Sequence, residues 1–518
     1  MEKIPSQLSS VIDSNSGLLS YLTQLVRGRK ATPRSWLYEQ VPAQKVLDDW
    51  LAILKGLESG SAFEKRALEF DLKQVNKWGP QGSVPPLDEA IKVVEPAYLP
   101  GLPTPGFQST HWESAKQLAR SQLFLPRTSL RPASLENVVD DMRMRDVLST
   151  NSGWPLFQER RKPEVISHSR ESAASGAWQD FPAILLFRHY FGKVRHVWMF
   201  PMATNLVEGS FTQPLMKAMR SKGGNFLNPW EGFSAVQNTM TEWYRLPAAY
   251  VYGGDFTGMD EHMKVLQMHE VFDVVSPIFV ESARELLWLS MKNACMIGTV
   301  TGPDSWLPPQ EHGLASGTGW TQISETIFQK IVYNYLRLEY GWPVDEMAIG
   351  DDSASLAPSK AWPVKDKLIQ VFEQIGMEAN ADKQADTVAE TTFLQRLFQR
   401  GYTNPAGQIR AVYPTLRALE TSVYPERWHS RGWSSDMFCV RQYMILENCI
   451  DHPLFEEFVR YVVRGQKDLI PFAKLSARQL MKIRSEANLV PNLNPTYNQE
   501  KRDSSLADFE SIRIAKSM

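Results

Sequence analysis

The chain has 518 residues, 43% hydrophobic and 22% charged, with a net charge of −2 at neutral pH. These are ordinary globular values, and the length allows several packed subdomains and excludes one small core. The near-neutral balance carries no nucleic-acid signature by itself, although an acidic exterior can enclose a channel lined with Lys and Arg.

Cys295, Cys439 and Cys449 fit no zinc spacing and no disulfide framework, which points to a reducing compartment. The first residues, MEKIPSQLSS, contain no apolar signal-peptide core, and no stretch approaches the roughly 20 apolar residues that span a bilayer. AILLF (183–187) is the nearest, and it is core-sized. A soluble, intracellular protein with no membrane partner is expected.

Residues 1–90 read as mostly helical, with LDDWLAILKGL (47–57) as an amphipathic segment. VRGRKATPR (26–34) is a basic stretch, either a solvated face or a nucleic-acid contact. EPAYLPGLPTPGF (95–107) reads as an extended loop at a subdomain boundary. From about 110 to 245 the elements are irregular and basic residues cluster. AAYVYGG (248–254) is a β-prone run predicted to end at Asp255. Met268, Val271, Phe272 and Val275 recur at helical spacing until Ser276-Pro277 stops the helix. A second helix starts near Thr321, with Ile323, Ile327 and Ile331 on one face. EMAI and SASLA flank Gly350-Asp351-Asp352 as a hairpin. Val364, Leu368, Val371, Phe372 and Ile375 mark a third helix, FLQRLF (393–398) a strand, and the chain beyond 405 is helical again. This order predicts an α+β fold, an antiparallel sheet with helices on one face, and not a doubly wound parallel sheet.

Four aspartates stand out, Asp255 and Asp260 in GDFTGMD and Asp351 and Asp352 in AIGDDS. Crowded carboxylates repel, and a hard divalent cation with oxygen ligands is one remedy. Two such ions roughly 4 Å apart support in-line phosphoryl displacement. Taken singly, GDD is equally an ordinary Asp-rich turn. ASGTGWTQISET (315–326) adds a small-residue loop opening into a helix, suited to approaching a ribose or phosphate or simply a flexible loop with a Thr cap. No G-x-S-x-G and no Walker A sequence is present, which disfavours a serine hydrolase and a P-loop ATPase.

GGDFTGMD, SGTGWTQ and IGDDS, in this order and at these separations, resemble motifs A, B and C of viral RNA-dependent RNA polymerases. The resemblance is strongest to the polymerases of picobirnaviruses and the related partitiviruses, small double-stranded RNA viruses. GKVRHVWMF (192–200) is similar to motif F, STNSGWP (149–155) to motif G, ADKQ (381–384) to motif D and FLQRLF to motif E. The motif-bearing region covers about 149–400. What the resemblance implies is a closed right hand with fingers, palm and thumb. Its expected divisions are an N-terminal helical region bridging fingers and thumb (1–90), fingers (91–245), palm (246–277), a fingers insertion (278–312), palm (313–405), and thumb with C-terminal tail (406–518).

The implied reaction is template-directed nucleotidyl transfer from NTPs to an RNA 3′-hydroxyl, serving transcription and replication of a double-stranded RNA genome. The resemblance assigns Mg²⁺ or Mn²⁺ to Asp255, Asp351, Asp352 and the Phe256 carbonyl. It gives proton donation to Lys383, nucleotide binding to Lys193, Arg195, Asp260, Ser316, Gly317 and Thr321, and RNA binding to Ser152, Gly153 and Arg396. Motif B departs from its family pattern, because Glu325 stands in the usual Asn position and is not given the role of that Asn in recognising the 2′-hydroxyl. Implied partners are RNA template and product, NTPs and a viral capsid protein, in the virion interior and host cytoplasm. Two other readings stay open, a capsid-internal RNA-binding structural protein with an inactive palm and a reverse-transcriptase-like polymerase.

Toward the C-terminus, Lys474, Arg478 and Lys482 form a basic stripe, a solvated face or a track for product phosphates. YPERWHSRGWSS (424–435) suits stacking on an initiating nucleotide or a buried loop anchor. Residues from Gln499 onward read as a mobile tail or a segment occupying a channel.

Overall fold

Aromatic and β-branched residues dominate 249–252, apolar Met347, Ile349, Ala354 and Leu356 recur at every second position in 345–358, and these segments build the central sheet. The computed structural model describes the whole chain except Asp146, Ala248, Asp255 and the segments 362–364, 380–387, 428–432 and 488–504. Strand Ala249–Gly254 pairs antiparallel with Asp352–Pro358, which pairs antiparallel with Asp345–Ile349. Gly254 faces Ser353 and Ile349 faces Asp352, so the strand end and the Gly350-Asp351 turn share one edge of the sheet. Gly350 adopts φ +59°, the left-handed conformation that a two-residue hairpin loop demands and that glycine reaches without strain.

Period-2 alternation splits the sheet into two apolar faces. Tyr250, Tyr252, Ala348 and Ala357 join the largest core, with helices Thr110–Leu123, Val265–Val275, Thr321–Tyr340 and Lys365–Gln374. Ile323, Ile327 and Ile331 are all buried there, as their spacing predicts, each contributing ~1.5–3 kcal/mol. Val251, Met347, Ala354 and Leu356 point the other way, onto helix Phe233–Arg245 and the hairpin 390–399. Helices on a single face are therefore a correction: the second face is equally apolar and carries its own cover.

A second sheet runs Glu2–Lys3, Ser305–Leu307, Thr299–Val300, Ala183–Tyr190, Lys193–Met199 in spatial order. AILLF lies in its fourth strand. Ile12, Leu18 and Leu22 of the N-terminal helices pack against Leu185, Phe187 and Trp198 of this sheet. Val46, Leu47, Trp50 and Leu54 enter a different core, with Leu419, Tyr443 and Phe458 of the C-terminal helices. The first sixty residues thus tie the two ends of the molecule together.

Several local expectations change. FLQRLF is half of a hairpin, Glu390–Phe393 paired with Arg396–Gln399, because Leu394 and Gln395 both take positive φ and reverse the chain. The loop 95–107 contains two 3₁₀ turns, Glu95–Tyr98 and Pro105–Gln108. Within the basic stretch 26–34, Arg29 donates to the Gly82 and Phe187 carbonyls and Arg34 to the Val41 carbonyl, so both are chain fasteners. Residues 499–504 lie outside the described residues, and 505–518 are neither tail nor channel plug. Leu506, Phe509, Ile512 and Ala515 recur every third position and bury against the C-terminal helices, while Glu447 accepts from the N–H groups of Glu510 and Ser511 at the last helix's start. Lys474, Arg478 and Lys482 are exposed. Among the described residues no helix is long and apolar enough to cross a membrane. The three cysteines are buried and unbridged.

Candidate active site

The acidic turn is clamped from behind by helix Thr321–Tyr340. Thr326 Oγ1 accepts from the Gly350 N–H at 2.9 Å, and Gln329 Nε2 donates to the Gly350 carbonyl at 2.7 Å. Deeper in the same helix, Tyr333 donates to Ser353 Oγ at 2.6 Å, and Ser353 Oγ donates to the Gly254 carbonyl at 3.2 Å. Hairpin tip and strand end are thus held by one helix. On the far side of Gly254, Phe256 stacks on Phe372 with centroids 4.2 Å apart, and Thr257 N–H donates to the Glu378 carbonyl.

These elements open on a cavity of about 1110 Å³, lined by Phe256, Asp260, Asp351 and Asp352, by Ser316, Thr321 and Glu325, and by Lys193, Arg195 and Arg396. It exceeds the roughly 300–1,000 Å³ of small-molecule pockets, enough for a nucleotide beside a strand end. Burial raises Glu325 well above the usual carboxyl range, and the charges of Asp260, Asp351 and Asp352 push it the same way. Burial also lifts Asp260 to about 6, against the hydrogen bond from Glu325 and the charge of Arg195. The two carboxyls share a hydrogen bond, and both are pushed up by burial and by neighbouring charges. An all-oxygen donor set of crowded carboxylates fits a hard divalent cation.

The cavity lining is also cationic. Lys193 and Arg195 are exposed on the hairpin 183–199. Arg195 lies over the Tyr190 ring at 5.2 Å, and Arg188 over the same ring at 4.7 Å. Arg188 also grips Glu426 through two bonds of 2.8 Å, linking this hairpin to the C-terminal region.

The loop 315–320 contributes Ser316 to the lining. Trp198 N–H donates to the Ser316 carbonyl at 2.8 Å. Gly317 sits at φ +125° with its α-carbon so near the Trp198 carbonyl that a β-carbon would lie 2.0 Å from that oxygen. Thr321 is no helix cap: its hydroxyl donates back to the Ala315 carbonyl at 3.1 Å, and Trp320 is the N-cap residue.

Nine of the residues singled out in the sequence meet at this cavity: Phe256, Asp260, Asp351, Asp352, Lys193, Arg195, Ser316, Thr321 and Arg396. Gly317 stands behind it. Asp255 and Lys383 lie outside the described residues. Ser152 is buried, its hydroxyl accepting from the Gln158 N–H, and Gly153 presses on the Phe200 carbonyl, so both face the protein. Arg396 reaches the lining but is buried and occupied, donating to the Asn448 carbonyl at 2.6 Å and covering the Phe233 ring at 4.2 Å. Sequence reasoning missed Arg188, and it missed Glu208, which holds the loop 315–320 from a helix over a hundred residues away. Elsewhere His269, Glu270 and Asp273 cluster with metal-like spacing, but Lys116 Nζ sits 2.9 and 2.7 Å from the two carboxylates and supplies the positive charge.

The crystal structure of the RNA-dependent RNA polymerase of a human picobirnavirus superposes on the whole chain with a TM-score of 0.82 at 22% identity, covering all of both chains. An insertion-loop deletion mutant of that enzyme gives 0.79 at 21% identity, again over all of both chains. The fold is accordingly the right-hand polymerase fold. A curated relative described as a potential RNA-dependent RNA polymerase, from Human picobirnavirus (strain Human/Thailand/Hy005102/-), is 24% identical over 478 residues, covering 88% of this chain and 86% of its own. Residues 191–449, half of the chain, match the family model of viral RNA-dependent RNA polymerases. The chain belongs to that family and is an RNA-dependent RNA polymerase.

Proposed function

We propose that this polymerase transcribes and replicates a double-stranded RNA genome by nucleotidyl transfer assisted by two divalent ions. Asp255, Asp351 and Asp352 and the Phe256 carbonyl would hold Mg²⁺ or Mn²⁺. Divalent ions held there would lower the pKa of the attacking 3′-hydroxyl and neutralise charge on the α-phosphate and the leaving pyrophosphate. The chain's own part is positioning. Lys193 and Arg195 balance the triphosphate, Lys383 donates a proton to pyrophosphate, and Ser316, Gly317 and Thr321 shape the sugar side with Asp260 and Glu325. The observation that carries the reading is one cavity lined together by Asp351 and Asp352, by Lys193 and Arg195, and by Ser316.

In this assignment the palm comprises 246–277 and 313–405, the fingers 91–245 and 278–312, and the thumb 406–518, with residues 1–90 bridging fingers and thumb. The packing of N-terminal helices into two separate cores supports the bridge. Ser152, Gly153 and Arg396 act on RNA through the segments they anchor. The expected setting is a virion interior and host cytoplasm, with capsid protein as partner.

The test is purified protein with single- and double-stranded RNA templates, NTPs or dNTPs, with Mg²⁺, with Mn²⁺ or with chelator. Labelled RNA from NTPs alone, abolished by chelator, supports the reading. RNA binding without incorporation would make it a structural RNA-binding protein, and incorporation of dNTPs a reverse-transcriptase-like enzyme.

A further inference from the structure

Glu208 is fully buried in helix Met202–Lys222, and its carboxylate accepts from three donors. They are the Thr318 hydroxyl, the Gly319 N–H at 2.8 Å and Asn205 Nδ2 at 2.8 Å. Asn205 lies one turn earlier on the same helix face. Its Oδ1 accepts from Arg160 Nη2 at 2.8 Å, and Arg160 Nε donates to the Asn151 carbonyl at 3.0 Å. The helix start adds a parallel tie, Met202 N–H to the Ser152 carbonyl at 2.8 Å. An unbroken line of polar side chains thus joins the segment 149–160 to the loop 315–320.

That loop has little else to define it. Ala315 and Trp320 anchor its ends in apolar cores, but Ser-Gly-Thr-Gly between them offers no hydrophobic side chain. One half is fixed by Trp198 N–H on the Ser316 carbonyl, the other by Glu208 on Thr318 and Gly319. A buried carboxylate is costly unless its lone pairs are filled, and here they are filled by the loop itself.

We propose that Glu208 is a positioning residue: with Asn205 and Arg160 it fixes loop 315–320 against segment 149–160 and so sets the nucleotide side of the cavity. The inference rests on the polymerase reading for its kinetic consequence and on the geometry alone for its structural one. Removing the carboxylate leaves three donors unsatisfied and frees Thr318 and Gly319, two residues from Ser316 and Thr321. Nucleotide binding then suffers more than the chemical step. Asn205 and Arg160 act through the same line, so their effects do not add to that of Glu208.

The experiment uses the full chain with Glu208→Ala, Glu208→Gln, Asn205→Ala and the Asn205→Ala/Glu208→Ala double variant. Two readouts are taken, NTP kinetics on an RNA template and hydrogen exchange of peptides covering 315–321. Glu208→Ala is expected to raise the NTP KM roughly tenfold, the worth of one charge-assisted hydrogen bond, with kcat changed little. Exchange at Gly319 and its neighbours should speed up. Glu208→Gln should recover part of both, because its amide oxygen still accepts from Gly319 and the Thr318 hydroxyl can turn to accept from its NH₂. The double variant should match Glu208→Ala. Unchanged exchange in 315–321, or a fall in kcat at constant KM, overturns the proposal. If Glu208→Ala does not fold, Glu208→Gln and Asn205→Ala decide by the same readouts. A wild-type protein that incorporates no NTP refutes the polymerase reading instead, and exchange still tests the loop.

Discussion

Gly317→Ala is the sharpest probe of the loop that completes the cavity. Two costs can be worked from the coordinates. At φ +125° an L-residue is strained by about 1–3 kcal/mol. The added methyl would also lie 2.0 Å from the Trp198 carbonyl oxygen and 3.1 Å from its carbon, both backbone atoms of strand Lys193–Met199, so no rotamer change relieves the clash. Loop or strand must shift by about an ångström, which lengthens the 2.8 Å bond from Trp198 N–H to the Ser316 carbonyl and pulls Gly319 from Glu208, at ~1 kcal/mol or more each. The sum is ~3–5 kcal/mol, among the larger point-mutation costs. Loss of even ~3 kcal/mol of positioning lowers kcat/KM by about two orders of magnitude. The control is Gly341→Ala, at φ +75° after helix Thr321–Tyr340 with nothing within 4 Å, which pays only the left-handed penalty of ~1–2 kcal/mol and should leave catalysis alone. Initial rates of labelled NTP incorporation on an RNA template and melting temperatures are measured for both variants. A Gly317→Ala enzyme with wild-type kcat/KM, melting no lower than Gly341→Ala, would refute the close-approach argument.

Asp351→Asn should reduce incorporation to background while the apo protein melts no lower than wild type, since one like charge leaves a cluster whose charges already push the Glu325 carboxyl up; primer extension and a melting scan check both halves. Glu325→Gln should stay within a few-fold of wild type, because the amide keeps a hydrogen bond to Asp260, whereas Glu325→Ala should lose roughly tenfold; equal losses in the two variants would contradict that hydrogen bond. Burial raises Glu208 to about 7 and Glu420 to about 8, both from 4.5. Raised carboxyls contribute stability that is complete below the unfolded value and disappears as pH climbs through the folded one, so apo stability should decline across that window. The Glu208 share is at most ~3 kcal/mol, and Glu208→Gln should flatten the plot of melting temperature against pH; parallel plots for variant and wild type would refute the assignment.

What the sequence made legible follows the range of the interactions involved. Strand Ala249–Gly254, the hairpin 345–358 and the Ile323-Ile327-Ile331 helix are written in periods of 2 and 3.6, and a local window contains each pattern whole. The hairpin at 390–399 is not written that way: Leu394 and Gln395 reverse the chain at positive φ without the Asn or Gly that normally advertises such a turn. The three-residue recurrence of Leu506, Phe509, Ile512 and Ala515 was in plain view, but the charged residues around it resembled a tail; only Glu447, over sixty residues away, explains why that helix has a firm start. Arg396 shows the same limit from the other side, since nothing in its motif announces the Asn448 carbonyl and the Phe233 ring that hold it. Glu208 is the extreme case. A glutamate inside a helix has no local signature of burial, and two of its three donors become visible only when residues 318 and 319 are brought beside it. Local periodicity therefore builds the floor of the cavity, while the groups that tune the loop above it are defined by contacts over a hundred residues apart in the chain. Those long-range contacts are where substitutions should separate nucleotide binding from folding.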